Sequence, residues 1–340
     1  MRLILAALLL VAACSKKDDA PKPADKPAGD KPVAAEKPAP GTPVVEVVPA
    51  KIKEATNVAD LGKLPVDSEI VAGVNVAQIQ TSALWKDIFA PQLLTGEVKR
   101  QLEDFQQKCG LDPLAVIKTA TIGLKGSTGV VVVHGPDKAK VVACAQKMKA
   151  DKDAKVDVTI DGDVTILSPK IGGVPVAFMF TSDTDAVIVI GPKADAAGVK
   201  AAVGSSGGLA ASGAFVDMYN RVETEKALWM LVNGKLDQFQ GLAALGIKPT
   251  HVFGSLDVAT GLDLDLRMRL ASADQATQSA AMMKSQLGSA AGMLKIDKLD
   301  ATSDGRDLKI SILVTQANIP GMLKALQGFG MLGGGMGGRP

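Results

Sequence analysis

Three cysteines, two histidines and two glycine-framed motifs carry the side-chain chemistry within reach of this 340-residue sequence. Cys14 ends the apolar run Leu3 to Ala13 behind two alanines, so a nucleophilic thiol stands beside backbone that small neighbours leave accessible. Cys109 and Cys144 form an even pair, open to a disulfide, to two buried thiols, or to a redox couple, which more naturally uses a close C-x-x-C spacing. Ser206, in Gly204-Ser205-Ser206-Gly207-Gly208, matches G-x-S-x-G, whose serine reacts only when a strand-to-helix elbow presents it to a histidine and an oxyanion hole. Here the motif follows a predicted helix and reads as a connector. The stretch from Gly328 to Gly333 matches G-x-G-x-x-G, yet a dinucleotide fingerprint follows a strand and opens a helix, and this one trails the last predicted helix into a glycine-rich end. His134 and His251 stand far apart with no Cys or carboxylate at ligand spacing, so hydrogen bonding at a strand end is their expected role. The acidic turns Asp161-Gly162-Asp163 and Ser182-Asp183-Thr184-Asp185 lack the closing Glu of a calcium loop and read as hairpin turns. The expectation is a chain with no catalytic residue, no cofactor and no metal ligand.

The elements around Cys14 explain its place. Arg2 and the short apolar run have the pattern of an export signal, too short to span a bilayer as a permanent helix. Val11-Ala12-Ala13-Cys14 resembles the bacterial lipobox, and the resemblance implies that residues 1–13 are a signal peptide and that Cys14 is lipidated. Several acyl chains then make a stable anchor where one would bind marginally. By the same resemblance, Ser15 in place of Asp favours the outer membrane facing the periplasm, and Ser15 to Asp19 also looks a little like a surface-display signal. From Ser15 to Pro43 the chain holds six Lys, five acidic residues and no aromatic residue. Such a segment cannot bury enough surface to offset the entropy of ordering, and residues 14–55 are expected to be the lipidated Cys and a disordered Pro/Lys/Ala-rich linker.

Composition limits the rest. With 38 basic and 36 acidic residues and 3% aromatic content, the chain offers neither the basic face nor the stacking rings of a nucleic-acid binder. About 285 residues beyond the linker are enough for one large domain or two smaller ones.

Alternation in Glu69 to Val76 predicts a strand, followed by helical sequence through Cys109. Strand-like 119–124 and 129–135, a helix over 137–150, hairpins turning at Asp161-Gly162-Asp163 and at 182–185, and a helix over 193–204 complete a first half at 56–203. After a connector at 204–211, a second half at 212–328 repeats the order: a strand at 226–234, a helix at 235–246, a long hairpin through Arg269, a helix at 273–294, a hairpin turning at Ser303-Asp304-Gly305-Arg306, and a last helix. Residues 329–340 read as a Gly-rich tail. The fold class expected is α+β, two similar halves, each a mostly antiparallel sheet with helices packed on one face, through internal duplication. In the strand 262–270, Leu262, Leu264, Leu266, Met268 and Leu270 alternate with Asp263, Asp265, Arg267 and Arg269, one face dry and the other solvated. Along the next helix Ala276, Ala280, Met283, Leu287 and Leu294 make an apolar stripe, either core-facing or one wall of a lipid or peptide groove.

Leu64-Pro65-Val66-Asp67 before the first strand, Ser82-Ala83-Leu84-Trp85 opening the helix, and Cys109-Gly110-Leu111-Asp112-Pro113 before the next strand resemble a group of uncharacterised bacterial secreted proteins and lipoproteins. The resemblance covers the first half better than the second and implies export, an α+β fold and a Cys109–Cys144 bridge. The function expected is a lipid-anchored, non-enzymatic envelope binding or structural protein, partnered with the membrane through Cys14 and with an envelope protein. The alternative is a carrier or chaperone for an apolar ligand, lipid or peptide, seated on helix 273–294.

Overall fold

The computed structural model describes Lys53 and residues 58–328, apart from 152, 153, 235, 237, 238, 240, 241, 244 and 245. Cys14, its signal, the linker apart from Lys53, and the tail from 329 lie outside the described residues.

The strands are β1 (Ile70–Asn75), β2 (Thr119–Lys125), β3 (Thr128–His134), β4 (Val156–Asp161), β5 (Val164–Pro169), β6 (Val176–Phe180), β7 (Asp185–Ile190), β8 (Leu228–Asn233), β9 (His251–Asp257), β10 (Gly261–Arg269), β11 (Lys298–Asp304) and β12 (Asp307–Thr315). The helices are α1 (Val58–Leu61), α2 (Val76–Thr81), α3 (Ala90–Leu93), α4 (Gly96–Cys109), α5 (Pro113–Val116), α6 (Lys138–Ala150), α7 (Ala196–Gly204), α8 (Gly213–Tyr219), α9 (Ala273–Met293) and α10 (Ile319–Gly328), with one π-helical turn at Trp85–Phe89.

Turn chemistry sets the hairpins. β4 meets β5 with Asp161 opposite Val164, and β11 meets β12 with Asp304 opposite Asp307, so each turn has two central residues. The first is Gly162 or Gly305, each at φ 59°, a conformation that tight hairpin turns need and side-chain-bearing residues avoid.

All twelve strands join one sheet in the order β11-β12-β10-β9-β8-β1-β2-β3-β7-β6-β5-β4, and every pairing is antiparallel. The expected α+β, antiparallel architecture is present, but the halves do not each close a sheet of their own. β1 pairs with β8, from Ile70 opposite Val232 to Val74 opposite Leu228, because two edge strands left open side by side would expose a row of unpaired backbone groups. Outward from that seam each half runs three strands as a meander and then returns after a helix, seven strands on one side and five on the other.

Helices cover both faces rather than one. Leu61, Val199, Phe215 and Tyr219, from α1, α7 and α8, join Val71, Val132, Val187, Trp229 and Phe253 in one core. The opposite face holds Ile122, Val131, Val133 and Ala186 in the first half, and Met268, Leu308 and Ile310 in the second. Partners followed across the register from Met268 through Val252, Val232, Ile70, Leu124 and Gly129 to Ile190 place these on a single side. The segment expected to be a loose connector is packed: Leu209 is 3% exposed, and Gly208 lies so close to the carbonyls of Leu61, Gly62 and Leu64 that a Cβ there would approach each within 2.7 Å. Sequence reading assigned no element to 213–219. There, α8 starts on the hydroxyl of Ser212, which accepts from the Phe215 N–H, and buries Phe215, Val216, Met218 and Tyr219 within two turns. Of the helix expected over 235–246, only Leu236, Phe239, Leu242, Ala243 and Gly246 are described, and Phe239, Leu242 and Ala243 lie in 3₁₀ turns.

Candidate functional site

Two cavities sit back to back across the first half of the sheet. The first is apolar, about 130 Å³, and open on one side. Its floor comes from alternate residues of neighbouring strands: Val133 faces Ala186 across β3–β7, Phe178 faces Ile188 across β6–β7, and Leu167 completes it from β5. Its roof is α6, which turns Val141, Cys144, Ala145 and Met148 inward at helical spacing, and its side wall is Phe105 of α4 with Pro113, Val116 and Ile117 from α5 and its end. Among the described residues no charged side chain lines it. A site of this composition desolvates hydrocarbon and offers a polar headgroup no side-chain partner.

The roof and wall are held together covalently. Cys109, the last residue of α4 before the left-handed Gly110 at φ 68°, is bonded to Cys144 in α6. Closing a loop of 35 residues this way is worth about 3.5 to 4 kcal/mol in the chain-entropy account. Cys109 and Cys144 are 9% and 4% exposed and cluster with Leu111, beside Phe105 and Val141, and Cys144 lines the cavity. Helix α4 itself packs on α6 and α5. Val98, Leu102 and Phe105, on one side of α4, remain only half-buried.

The second cavity, about 360 Å³, opens on the opposite face and is lined by Asp60, Asn75, Thr119, Thr121, His134, Thr224, Glu225, Lys226 and Trp229. His134 is its chief polar feature. Nδ1 lies 2.7 Å from Asp185 Oδ1 and Nε2 lies 3.0 Å from Asp60 Oδ2, so β3 is clasped at once to α1 and to the start of β7. Thr121 Oγ1 donates to the same Asp60 oxygen at 2.7 Å, and Ser182 Oγ donates to Asp185 Oδ2 at 2.7 Å. The Asp60 hydrogen bond, followed by that of Asp185, raises the imidazole pKa to about 9 against the opposing effect of burial. The hydroxyl of Ser182 and then the imidazolium hold the Asp185 carboxyl below its ordinary range. Nearby, burial pushes the Tyr219 phenol up to about 12, and the indole of Trp229 lies across Gly73, where any Cβ would meet its ring nitrogen at 2.0 Å. The clasp saturates both imidazole nitrogens, and among the described residues the hydroxyls that line the cavity are those of Thr119, Thr121 and Thr224. Its chemistry is fastening, since a carboxylate occupies each ring nitrogen.

The residues singled out from sequence fall into place unevenly. Cys14 is outside the described residues. Ser206 is exposed and follows helix α7, not a strand, so the elbow that its motif requires is absent there. His134 is at the strand end expected but is bracketed by two carboxylates 74 and 51 residues away in sequence, partners that spacing along the chain does not reveal. His251 begins β9 and lies 3.3 Å from the Thr250 hydroxyl. The charged row of β10 is solvated at Asp263 and covered toward its arginine end. Arg269 is 8% exposed, its Nε donating to Asp307 Oδ1 at 2.8 Å and its Nη1 to Asp217 Oδ2 at 2.6 Å, and Arg267 Nη1 donates to Asp304 at 2.8 Å. The α9 stripe faces core: Ala276 and Ala280 are buried against Met268, Leu270, Leu308 and Ile310, with Met283 packed at their side. The side chain of Leu287 lies outside the described residues, and Leu294 lies just beyond α9, half-buried. Among the described residues no helix is long and apolar enough to cross a membrane.

No family model and no curated protein matches this chain. Among solved structures, the one described as "Structure of crystal form I of TP0453" aligns at TM-score 0.48 and 9% identity, covering 80% of this chain and 98% of that chain, a likeness too distant to carry a residue or an activity across.

Proposed function

We propose that this chain is a lipoprotein held in the bacterial envelope through Cys14, on the outer membrane facing the periplasm, and that its body is a non-enzymatic carrier for an apolar ligand. The observation that carries the second part is the apolar cavity between α4–α6 and the sheet, walled by hydrocarbon and by Cys144, which is bonded to Cys109. The sequence placed such a seat on helix 273–294, where Ala276 and Ala280 instead close directly on the sheet.

The test is uptake of the fluorescent apolar probe N-phenyl-1-naphthylamine by the chain from Ser15 onward, which contains every described residue. Saturable binding is expected, the single phenyl ring entering the cavity and the naphthyl group resting at its open side, and Ala145→Leu, which adds three carbons inside a cavity of about 130 Å³, is expected to weaken it tenfold or more. Unsaturable probe signal, or full binding by the filled variant, removes the carrier. The anchor is tested separately: the intact chain should incorporate radioactive palmitate in its native cell, and Cys14→Ser should abolish that labelling.

A further inference from the structure

The cavity limits what its occupant is. At about 130 Å³ it is close in size to an apolar cavity of roughly 150 Å³ that accepts one benzene molecule, so it has room for the end of one hydrocarbon chain and none for a sterol nucleus or for two chains side by side. Its lining contributes no side chain that could satisfy a buried headgroup, so the polar end of any ligand must stay outside. The route outside is marked. Phe105 lines the cavity, and from it Leu102 and Val98 continue toward the start of α4 at helical spacing, a half-buried apolar stripe about 10 Å long at 1.5 Å per residue. Glu103 and Asp104, exposed, and Lys99, paired with Glu103 at 3.7 Å, keep the rest of that helix polar.

We propose that the ligand is a single-chain amphiphile whose methyl end fills the cavity and whose remaining methylenes lie along the Phe105–Leu102–Val98 stripe, with its head in water. The proposal rests on the carrier reading and deepens it. A free fatty acid and a lysophospholipid share this chemistry, and they differ in head alone.

The experiment displaces bound N-phenyl-1-naphthylamine from the chain beginning at Ser15 with saturated fatty acids of six to fourteen carbons, lysophosphatidylcholine, cholesterol and two-chain phosphatidylcholine vesicles. Each methylene that leaves water should lower the half-displacing concentration about fourfold until the chain outruns the stripe. Leu102→Asp, on the half-buried side of a surface helix, should leave the six-carbon acid unchanged and flatten the gain for longer acids. Equal displacement by fatty acid and lysophospholipid of matched length supports chain-only recognition, and strong preference for one identifies the source. A response without chain-length dependence, competition by cholesterol or vesicles at the level of the fatty acids, or an unaltered long-chain gain in Leu102→Asp overturns the single-chain site while leaving the carrier standing. Failure of the probe itself to bind removes both.

Discussion

Helix α9 and the α4–α6 group cover opposite ends of the same sheet face, and they approach it to different depths. Under α9 the contact residues are Ala276, 0% exposed, and Ala280, 6% exposed, so the helix packs on Met268, Leu270, Leu308 and Ile310 through its smallest side chains. Under α6 the facing residues are Val141, Ala145 and Met148, and the neighbouring wall is bulky Phe105 on a helix fixed by its last residue to Cys144. Small residues let a helix close; large ones and a covalent strut hold it off. The same sheet thus yields a solid core at one end and a hydrocarbon-lined space at the other. The opposite face shows the same division in its fastenings, with a titratable histidine clasp behind the cavity and an arginine cluster in the solid half.

The arginine cluster gives the largest expected effect. Asp307 is 1% exposed and accepts from Arg269 at 2.8 Å and 3.1 Å, so Asp307→Ala leaves a buried guanidinium with Asp217 as its remaining carboxylate among the described residues. The expected loss is about 3 to 5 kcal/mol in urea unfolding. A loss below about 1 kcal/mol would show that solvent reaches the cluster and that this half is no more solid than the other.

Next comes the strut. Replacing Cys109 and Cys144 together by Ala should lower stability by about 3.5 kcal/mol if the denatured chain gains the loop entropy and the helices stay in place. If α4 instead swings away from α6, probe affinity at the apolar cavity falls as well, which separates a staple from a wall.

Matched alanine enlargements compare the two interfaces directly. Ala276→Leu forces extra carbons into a filled contact and should cost about 1 to 3 kcal/mol, whereas Ala145→Leu should change stability by less than about 1 kcal/mol because its new methyls enter open space. Equal costs would mean that the cavity collapses readily and that the contrast between the ends is one of shape alone.

How far the sequence disclosed this contrast depends on the range of the interaction. The alternation in 262–270 and the turns at Gly162 and Gly305 are local, since side-chain period and φ restriction are properties of a few consecutive residues, and strands and hairpins followed from them. The pairing of β1 with β8 joins residues 154 to 162 positions apart, from Val74 opposite Leu228 to Ile70 opposite Val232, and no local pattern records it. Alternating charge on β10 looked solvated because a strand pattern shows which residues share a face and not what lies over it; Asp217, from the short helix α8, lies over it and buries Arg269. The same limit hid the site. An apolar stripe in 273–294 and apolar positions in 141–148 are alike on paper, and only the size of the facing side chains, known once the register is known, tells which one leaves a space.

The histidine clasp gives the smallest effect and the most diagnostic one. His134 and Asp185 are opposed across β3–β7, one residue along from Val133 and Ala186, which face the other way into the apolar cavity. The clasp therefore fastens the back of the cavity floor. Its folded pKa of about 9 lies above the ordinary 6.5, so its contribution is complete below about pH 6.5 and is lost as pH rises through about 9. Urea midpoints of the unaltered chain should fall across that window, modestly because the side chain is 35% exposed, and His134→Gln should show a flatter profile over the same range. Asp307→Ala, in the solid half, should keep the unaltered slope at a lower level. A flat profile in the unaltered chain would mean that the imidazole is neutral in the fold, and that the back of the cavity is held by Thr121, Asp60 and strand pairing without a charge.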